Sequence, residues 1–248
     1  MTNSAIRGCA DIVADPAQLA VHVAGWFVER VATTSSPVRV ALCGGSTPRA
    51  FYTLLGSEDY RTKVAWERVH LFFGDERFVP HDDAASNFRM VRETLLAHGA
   101  VPPANIHPIP VTGTPQDAAR AYAQTLQRIY GADVLDPARP LFDINFLGLG
   151  DDGHTASLLP GQPVLNECEH WAAAVMKGRD EPRITLTYPA LEASRTIAFV
   201  VSGAQKAAAV RAARSGDETL PAGRLKPKGE VIWFLDEAAG AARTRSED

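Results

Sequence analysis

A glycine-rich turn that follows an apolar run of strand length constrains this 248-residue chain more than any other feature. The run begins at Phe142, and the turn continues to Gly161 with the combined sequence FDINFLGLGDDGHTASLLPG. The turn carries two carboxylates, an imidazole and two hydroxyls. Buried parallel strands read as continuous apolar runs, and α/β proteins bind their ligands beyond the carboxyl ends of such strands. The stretch therefore predicts an active site directly after a buried strand.

The same turn contains a literal GxGxxG from Gly148 to Gly153, a pattern typical of dinucleotide-binding loops. Those loops place a pyrophosphate against bare backbone amides, and an acidic residue about 20 positions later binds the ribose. Here Asp151 and Asp152 stand where the phosphates would lie, and the next strand-like run is followed by Lys177 and Gly178 rather than by an acid. We therefore reject the dinucleotide interpretation and predict no nicotinamide or flavin cofactor.

Composition limits the class of protein. With 46% hydrophobic and 22% charged residues, the chain is predicted to form a single α/β domain over residues 1–248. A net charge of −4, without a basic run, indicates neither nucleic acid nor an anionic membrane as a partner.

The three cysteines are scattered and predict neither disulfides nor a zinc site. No basic-then-apolar leader and no apolar run of about 18 residues is found, so we expect a cytoplasmic protein.

Strand-like and helix-like segments alternate along the chain. This alternation predicts an open, mostly parallel α/β sheet with helices on both faces. The predicted strands are 38–42, 69–73, the run from Phe142, 172–176, 184–188, 196–202 and 231–235, with a further short strand at 105–109. The predicted helices cover 16–32, 50–55, 86–96, 116–130, 203–214 and 236–241.

A second glycine turn, Gly44-Gly45-Ser46-Thr47-Pro48, links the strand at 38–42 to a helix. Thr47 is predicted to be the N-cap of that helix, with Pro48 as its first residue. Glycines let a ligand approach the backbone, and a helix N-terminus favours an anion, so a phosphate monoester would fit here. A capped turn with a purely structural role is the alternative, and the pattern by itself does not separate the two.

Two further places carry charged residues next to predicted elements. Asp75, Glu76 and Arg77 follow the buried strand at 69–73, either as site residues or as a solvated ion-pair cluster on the surface. Lys206 lies in the first turn of the helix at 203–214, where a lysine matches the helix dipole poorly unless an anion is bound beside it. A solvated lysine is the alternative interpretation.

Taken in order, these motifs resemble those of the 6-phosphogluconolactonases. The resemblance also includes Ser86-Asn87-x-x-Met90 and Arg183-Ile-Thr-Leu-Thr, and it extends from about residue 35 to 240. Each motif is weak alone, whereas the ordered set is specific. It implies a Rossmann-like fold similar to that of glucosamine-6-phosphate deaminase. It also implies hydrolysis of 6-phospho-D-glucono-1,5-lactone to 6-phosphogluconate in the pentose phosphate pathway.

Two alternative functions remain at this point. The deaminases share the phosphate loop and the Asp-Gly-His turn, but their turn continues into Phe-Asn-Glu-Pro, whereas this chain has Ser157-Leu158-Leu159-Pro160. Leu159 cannot hold a proton, so sugar-ring opening by a histidine–glutamate pair is not supported. A non-catalytic sugar-phosphate sensor is the other alternative, and the retention of both His154 and Asp152 argues against it.

Lactone hydrolysis requires a base that activates water and a positive group near the carbonyl oxygen. We predict His154 as the base, because an imidazole can take a proton near neutral pH, and Asp152 as the residue that orients His154 or the water. Asp75 and Arg77 are expected to face the same cleft. Whether Arg77 serves the carbonyl oxygen or the phosphate stays open.

The resemblance also supplies the predicted phosphate site. Its residues are Gly44, Gly45, Ser46 and Thr47 of the first loop, together with Arg183 and Lys206. Asp151, Asp152 and His154 could be imagined as metal ligands, but three neighbours in one turn seldom complete a tetrahedral set. We therefore predict metal-independent catalysis and a small-molecule substrate. The sequence does not decide the oligomeric state, and a monomer is compatible with it.

Overall fold

The structure is a computed structural model that describes residues 8–34 and 37–241. Its strands are β1 (Cys9–Val13), β2 (Val38–Leu42), β3 (Val69–Phe73), β4 (Asp75–Arg77), β5 (Phe142–Leu147), β6 (Ala172–Val175), β7 (Arg183–Leu186), β8 (Ser194–Val201) and β9 (Glu230–Asp236). Its helices are α1 (Pro16–Thr33), α2 (Ser46–Gly56), α3 (Glu58–Arg61), α4 (Asn87–Thr94), α5 (Pro115–Tyr130), α6 (Tyr188–Glu192), α7 (Ala207–Arg214) and α8 (Glu237–Gly240).

Six strands form the main sheet, in the order β1-β9-β8-β5-β2-β3. Each neighbouring pair in this sheet is parallel. All six residues of β5 are buried, Asp143 and Asn145 included, as expected for a strand in the middle of a covered parallel sheet. The predicted fold class is therefore confirmed.

Aromatic packing fixes β5 against the first two helices. Helix α1 begins as predicted, with Asp15 accepting from the backbone amides of Ala17 and Gln18, and with proline as its first residue. Phe27 of α1 and Phe51 of α2 lie 6.0 and 5.0 Å, ring to ring, from Phe146 of β5. Each buried ring contributes about 1.5–3 kcal/mol to the hydrophobic free energy of folding. The strand that leads into the glycine turn is thus held on a rigid support.

A second, antiparallel sheet was not anticipated. It consists of β4-β7-β6, so the strands predicted at 172–176 and 184–188 do not join the main sheet. Gly74 is the switch point between the sheets, because its N–H donates to Leu42 O and its carbonyl accepts from Leu186 N, both at 2.8 Å. Strand β4 is itself the charged segment that follows β3, and it forms one edge of the second sheet.

Two local predictions were wrong, and one strand was missed. The segment predicted as a strand at 105–109 instead begins at the last residue of a 3-10 turn, Pro103–Asn105, and makes a single bridge, between Ile106 and Leu71. Strand β1 was missed; it is a half-exposed strand at the edge of the main sheet. Helix α2 begins at Ser46 rather than after Thr47, and its N-cap is Gly45.

Buried apolar residues from both sheets belong to one hydrophobic cluster. Within the described residues, no helix is long and apolar enough to cross a membrane. The ends of the predicted domain, 1–7 and 242–248, lie outside the described residues. That residues 1–248 form a single domain therefore stays a prediction.

Candidate active site

A cavity of about 220 Å³ opens at the carboxyl edge of the main sheet, beyond β2, β3, β5 and β8. Nine of the ten predicted site residues line it: Gly44, Gly45, Ser46, Thr47, Asp75, Arg77, His154, Arg183 and Lys206. The tenth, Asp152, contacts His154. Asn87, Thr155 and Ser202 also line the cavity without having been assigned a role from the sequence. The parallel topology therefore brings together loops that are far apart in the chain.

The N-terminus of α2 forms one wall of this cavity. Gly45 has a φ of 112°, a conformation that favours glycine, and no side chain caps the helix there. The amides of the first helical turn are consequently not satisfied by a capping oxygen, and the helix dipole adds a partial positive charge. Pro48 fits in this turn because its missing N–H would have had no helical partner. This wall is suited to an anion.

His154 and Asp152 form a close pair within the turn after β5. Asp152 Oδ1 lies 2.5 Å from Nδ1 of His154 and accepts the His154 backbone amide at 3.2 Å. An ionised carboxylate can only accept, so Nδ1 donates the hydrogen, and in the neutral imidazole Nε2 is then the nitrogen with the lone pair. A Cβ on Gly150 would lie 2.0 Å from Nδ1 and 2.6 Å from Asp152 Oδ1, so this pair requires glycine at position 150.

The charge of Asp152 is secured by its neighbours. Burial alone would raise the pKa of this carboxyl, but hydrogen bonds from Arg179 and His154 outweigh burial and hold the pKa well below its usual range. Arg179 donates to Asp152 Oδ2 at 2.8 Å. Sequence reasoning missed Arg179, because it lies in a charged loop outside all the motifs.

Asp75 is buried rather than solvated, with 6% of its surface exposed. Its carboxylate accepts from Ser157 Oγ at 2.5 Å and from Asn87 Nδ2 at 3.3 Å, and it lies 4.0 Å from Arg183 Nη1. Burial lowers the pKa of Arg183, and the charge of Asp75 opposes this shift. The surface ion-pair interpretation of this segment is therefore wrong, and Asp75 instead holds Arg183 beside the cavity.

The other two residues of the charged segment have different partners. Glu76, 1% exposed, accepts from the backbone amides of Arg77, Asn87 and Phe88 at 2.7–2.8 Å. Arg77 lines the cavity and donates through Nη1 to Ala85 O at 2.6 Å. Glu76 therefore fixes the start of α4, and Arg77 remains next to the ligand space.

Lys206 lines the cavity from the segment that follows β8. It closes a 3-10 turn, Ala204–Lys206, just before α7, and its Nζ is 2.6 Å from Asp151 Oδ1. The lysine side chain is 22% exposed, whereas that of Asp151 is 64% exposed. The ammonium group is thus held at the rim by a carboxylate that water reaches easily.

The cavity carries a surplus of positive charge. Its lining includes the cations of Arg77, Arg183 and Lys206 but only one carboxylate, that of Asp75. Arg77 and Arg183 each have a buried Nε–H without an acceptor among the described residues. Unused donors and an excess of cations over carboxylates in the lining are suited to a dianion such as a phosphate monoester.

Within residues 8–34 and 37–241, no group of three or more His, Cys, Asp or Glu side chains could hold a metal ion. Asp151 and Asp152 diverge, one toward Lys206 and the other toward Arg179. Both carboxylates of the turn are therefore engaged in ion pairs.

The chain is similar to proteins of known activity. It is 38% identical to the 6-phosphogluconolactonase of Synechocystis sp. over 205 residues, which are 81% of this chain and 82% of the relative. The solved 6-phosphogluconolactonase from Trypanosoma cruzi superposes with a TM-score of 0.84 at 26% identity, covering 98% of this chain and 100% of that one. A monomeric glucosamine-6-phosphate deaminase shares the fold, with a TM-score of 0.76 at 18% identity over 93% and 98% of the two chains.

A sequence model matches most of the chain and joins the two activities in one family. The match runs from residue 14 to residue 233, and the model is described as glucosamine-6-phosphate isomerases/6-phosphogluconolactonase. It covers both glycine turns, the charged segment after β3 and Lys206. The fold, the cavity and this match agree: the chain belongs to the glucosamine-6-phosphate isomerase/6-phosphogluconolactonase family.

Proposed function

We propose that this chain hydrolyses 6-phospho-D-glucono-1,5-lactone to 6-phospho-D-gluconate, as a step of the oxidative pentose phosphate pathway. One observation carries the proposal. His154, backed by the Asp152 carboxylate at 2.5 Å, faces a cavity that has three cations and a helix N-terminus. The relatives that are named 6-phosphogluconolactonases support the choice of substrate.

The phosphate of the substrate is bound first. We assign it to the N-terminus of α2, with Ser46 and Thr47 as hydroxyl donors and with Arg183 and Lys206 as counter-charges. Asp75 holds Arg183 in place from behind. Binding the phosphate at one end of the cavity places the lactone ring near His154, which converts the attack of water into a reaction within one complex.

His154 then acts as the general base. Its Nε2 removes a proton from a water molecule while the water oxygen attacks C1 of the lactone, which produces a tetrahedral oxyanion and an imidazolium. Asp152 stabilises the imidazolium through Nδ1. The C1–O5 bond then breaks, and the ring oxygen receives the proton from Nε2. The new carboxylic acid loses its own proton to solvent, so the reaction releases one proton.

Arg77 is assigned to the carbonyl oxygen. With Arg183 and Lys206 assigned to the phosphate dianion, Arg77 is the cation of the cavity lining that is left for the carbonyl oxygen. A guanidinium near C1 would stabilise the charge that develops in the transition state more than the neutral carbonyl of the ground state. This assignment supplies the positive group that lactone hydrolysis requires.

The deaminase alternative lacks its acid. Leu159, at the place of the deaminase glutamate, is 1% exposed and packs in the hydrophobic core. A buried leucine can neither donate nor accept a proton, so it cannot assist ring opening. This supports the lactonase branch of the family.

The proposal is tested by proton release from freshly generated 6-phosphogluconolactone, with ammonia release from glucosamine 6-phosphate measured in parallel. We expect wild type to exceed the spontaneous rate, and His154→Ala to lose about 10²–10⁴-fold in kcat, the usual contribution of a general base. His98→Ala, at an exposed histidine, is the matched control and should behave as wild type. Ammonia release, or no turnover of either substrate by wild type, would refute the proposal.

A further inference from the structure

Arg179 joins the Asp152–His154 pair from a loop that none of the motifs covers. The loop, residues 176–182, connects β6 and β7 of the second sheet. Its guanidinium donates through Nη2 to Asp152 Oδ2 at 2.8 Å and through Nη1 to Gly178 O, also at 2.8 Å. The second bond anchors the side chain to its own loop. The guanidinium therefore reaches Asp152 in a fixed orientation.

Each oxygen of the Asp152 carboxylate has its own partner. Oδ1 accepts from Nδ1 of His154, and Oδ2 accepts from Arg179. The terminal torsion of an aspartate is broad when nothing holds it. With a donor on each oxygen, the carboxylate cannot rotate without losing a hydrogen bond. The direction of the His154 ring therefore depends on Arg179 through Asp152.

Arg179 lies behind the imidazole rather than in the ligand space. His154 lines the cavity, whereas neither Asp152 nor Arg179 is among the described residues that line it. Nη2 of Arg179 is 3.3 Å from Nδ1 of His154, the ring nitrogen that Asp152 also contacts. A substrate in the cavity would consequently meet His154 rather than the guanidinium.

We propose that Arg179 is a positioning residue, which locks the Asp152 carboxylate so that His154 presents a free Nε2 to the substrate. The kinetic part of this inference rests on the proposed function. The side chains of Arg179 and Asp152 are 37% and 39% exposed, so their ion pair adds little to the stability of the fold. We expect the ion pair to affect the rate of catalysis instead, because a base that is slightly misplaced loses much of its effectiveness.

Kinetics of Arg179→Ala, Arg179→Lys and Lys177→Ala test the inference. Lys177→Ala is the matched control, since it removes one exposed cation from the same loop. For Arg179→Ala we expect kcat to fall about tenfold or more with KM within about twofold, the pattern of a group that acts only in the transition state. The variant Arg179→Lys should retain part of the rate, because an ammonium group keeps the positive charge but lacks the planar guanidinium with its two parallel donors. Added guanidinium ion should rescue Arg179→Ala but not His154→Ala.

A second measurement does not depend on turnover. Heteronuclear NMR of the His154 ring nitrogens should show the Nδ1–H tautomer in wild type and in Lys177→Ala, and a mixture of tautomers in Arg179→Ala. An unchanged tautomer, an unchanged kcat, or a raised KM at constant kcat in Arg179→Ala would overturn the inference. If wild type does not hydrolyse the lactone, the proposed function fails, and the ring spectra still decide whether Arg179 positions His154.

Discussion

At the scale of single residues, two adjacent aspartates of one turn have opposite surroundings. Asp152 lies behind His154 with both of its oxygens bonded, whereas Asp151 reaches outward to Lys206 at 2.6 Å. The proposed substrate phosphate needs the same ammonium group. Asp151 is therefore a competitor for Lys206 whenever the cavity is empty, and binding of the phosphate must exchange one anion for another.

Asp151→Asn should bind substrate more tightly. Exposed ion pairs are worth about 0.2–1 kcal/mol, so removing the competing carboxylate should lower KM by up to about fivefold and leave kcat unchanged. Steady-state kinetics at low salt are the measurement, because salt screens exposed charges. Asp180→Asn, at an exposed acid of the 176–182 loop, is the control for net charge. A higher KM would mean instead that Asp151 holds Lys206 in its binding position.

At the scale of secondary structure, α4 depends on a carboxylate that precedes it by eleven residues. Glu76 accepts three backbone amides and the Ser86 hydroxyl, and two of those amides belong to the first turn of α4. Burial raises the pKa of Glu76, and the amide hydrogen bonds oppose the shift. Asn87, the first residue of α4, donates to Asp75 in turn. One buried glutamate thus connects α4 to the wall of the cavity.

Glu76→Gln should destabilise the protein by about 1–3 kcal/mol, because the amide nitrogen would face buried donors and leave them unsatisfied. The free energy of unfolding in urea is the measurement. Glu93→Gln, on the exposed face of the same helix where Glu93 pairs with Arg89, should leave the unfolding curve unchanged. Equal unfolding curves for wild type and Glu76→Gln would contradict the structural role given to this residue.

Sequence patterns predicted well those strands and helices that are determined by residues within the element itself. Strand β5 is apolar at four of its six positions, and α1 has a proline and an aspartate cap at its start. Strand β4 has three charged residues, and its pairing with β7 lies more than 100 positions away, so no local pattern could reveal it. Arg179 was missed for the same reason, since its contact with Asp152 spans 27 positions. Thr47 resembled an N-cap, but Gly45 could adopt the φ of 112° that starts α2 earlier.

At the scale of the whole molecule, histidines occupy two separate regions of the main sheet. The carboxyl edge holds His154 and its partners, whereas two other histidines meet beside the edge strand β3. His70 Nδ1 and His107 Nε2 lie 3.1 Å apart with stacked rings. Two imidazoles at this distance share one proton well and two protons poorly. The pair therefore links the stability of the fold to pH.

The free energy of unfolding should fall as the pH drops from about 6.5 to 4. Burial, with smaller contributions from the charges of His70 and Arg128, lowers the pKa of His107 to about 4. The unfolded chain then binds more protons than the native one across this interval, so stability is fully present above the unfolded pKa and is lost toward the folded one. His107→Gln removes the titrating ring, and it should reduce the loss by about 1 kcal/mol, since water partly screens the site. Urea unfolding at several pH values measures this slope, with the exposed His98→Gln as the control. A slope that His107→Gln leaves unchanged would assign acid unfolding to other groups.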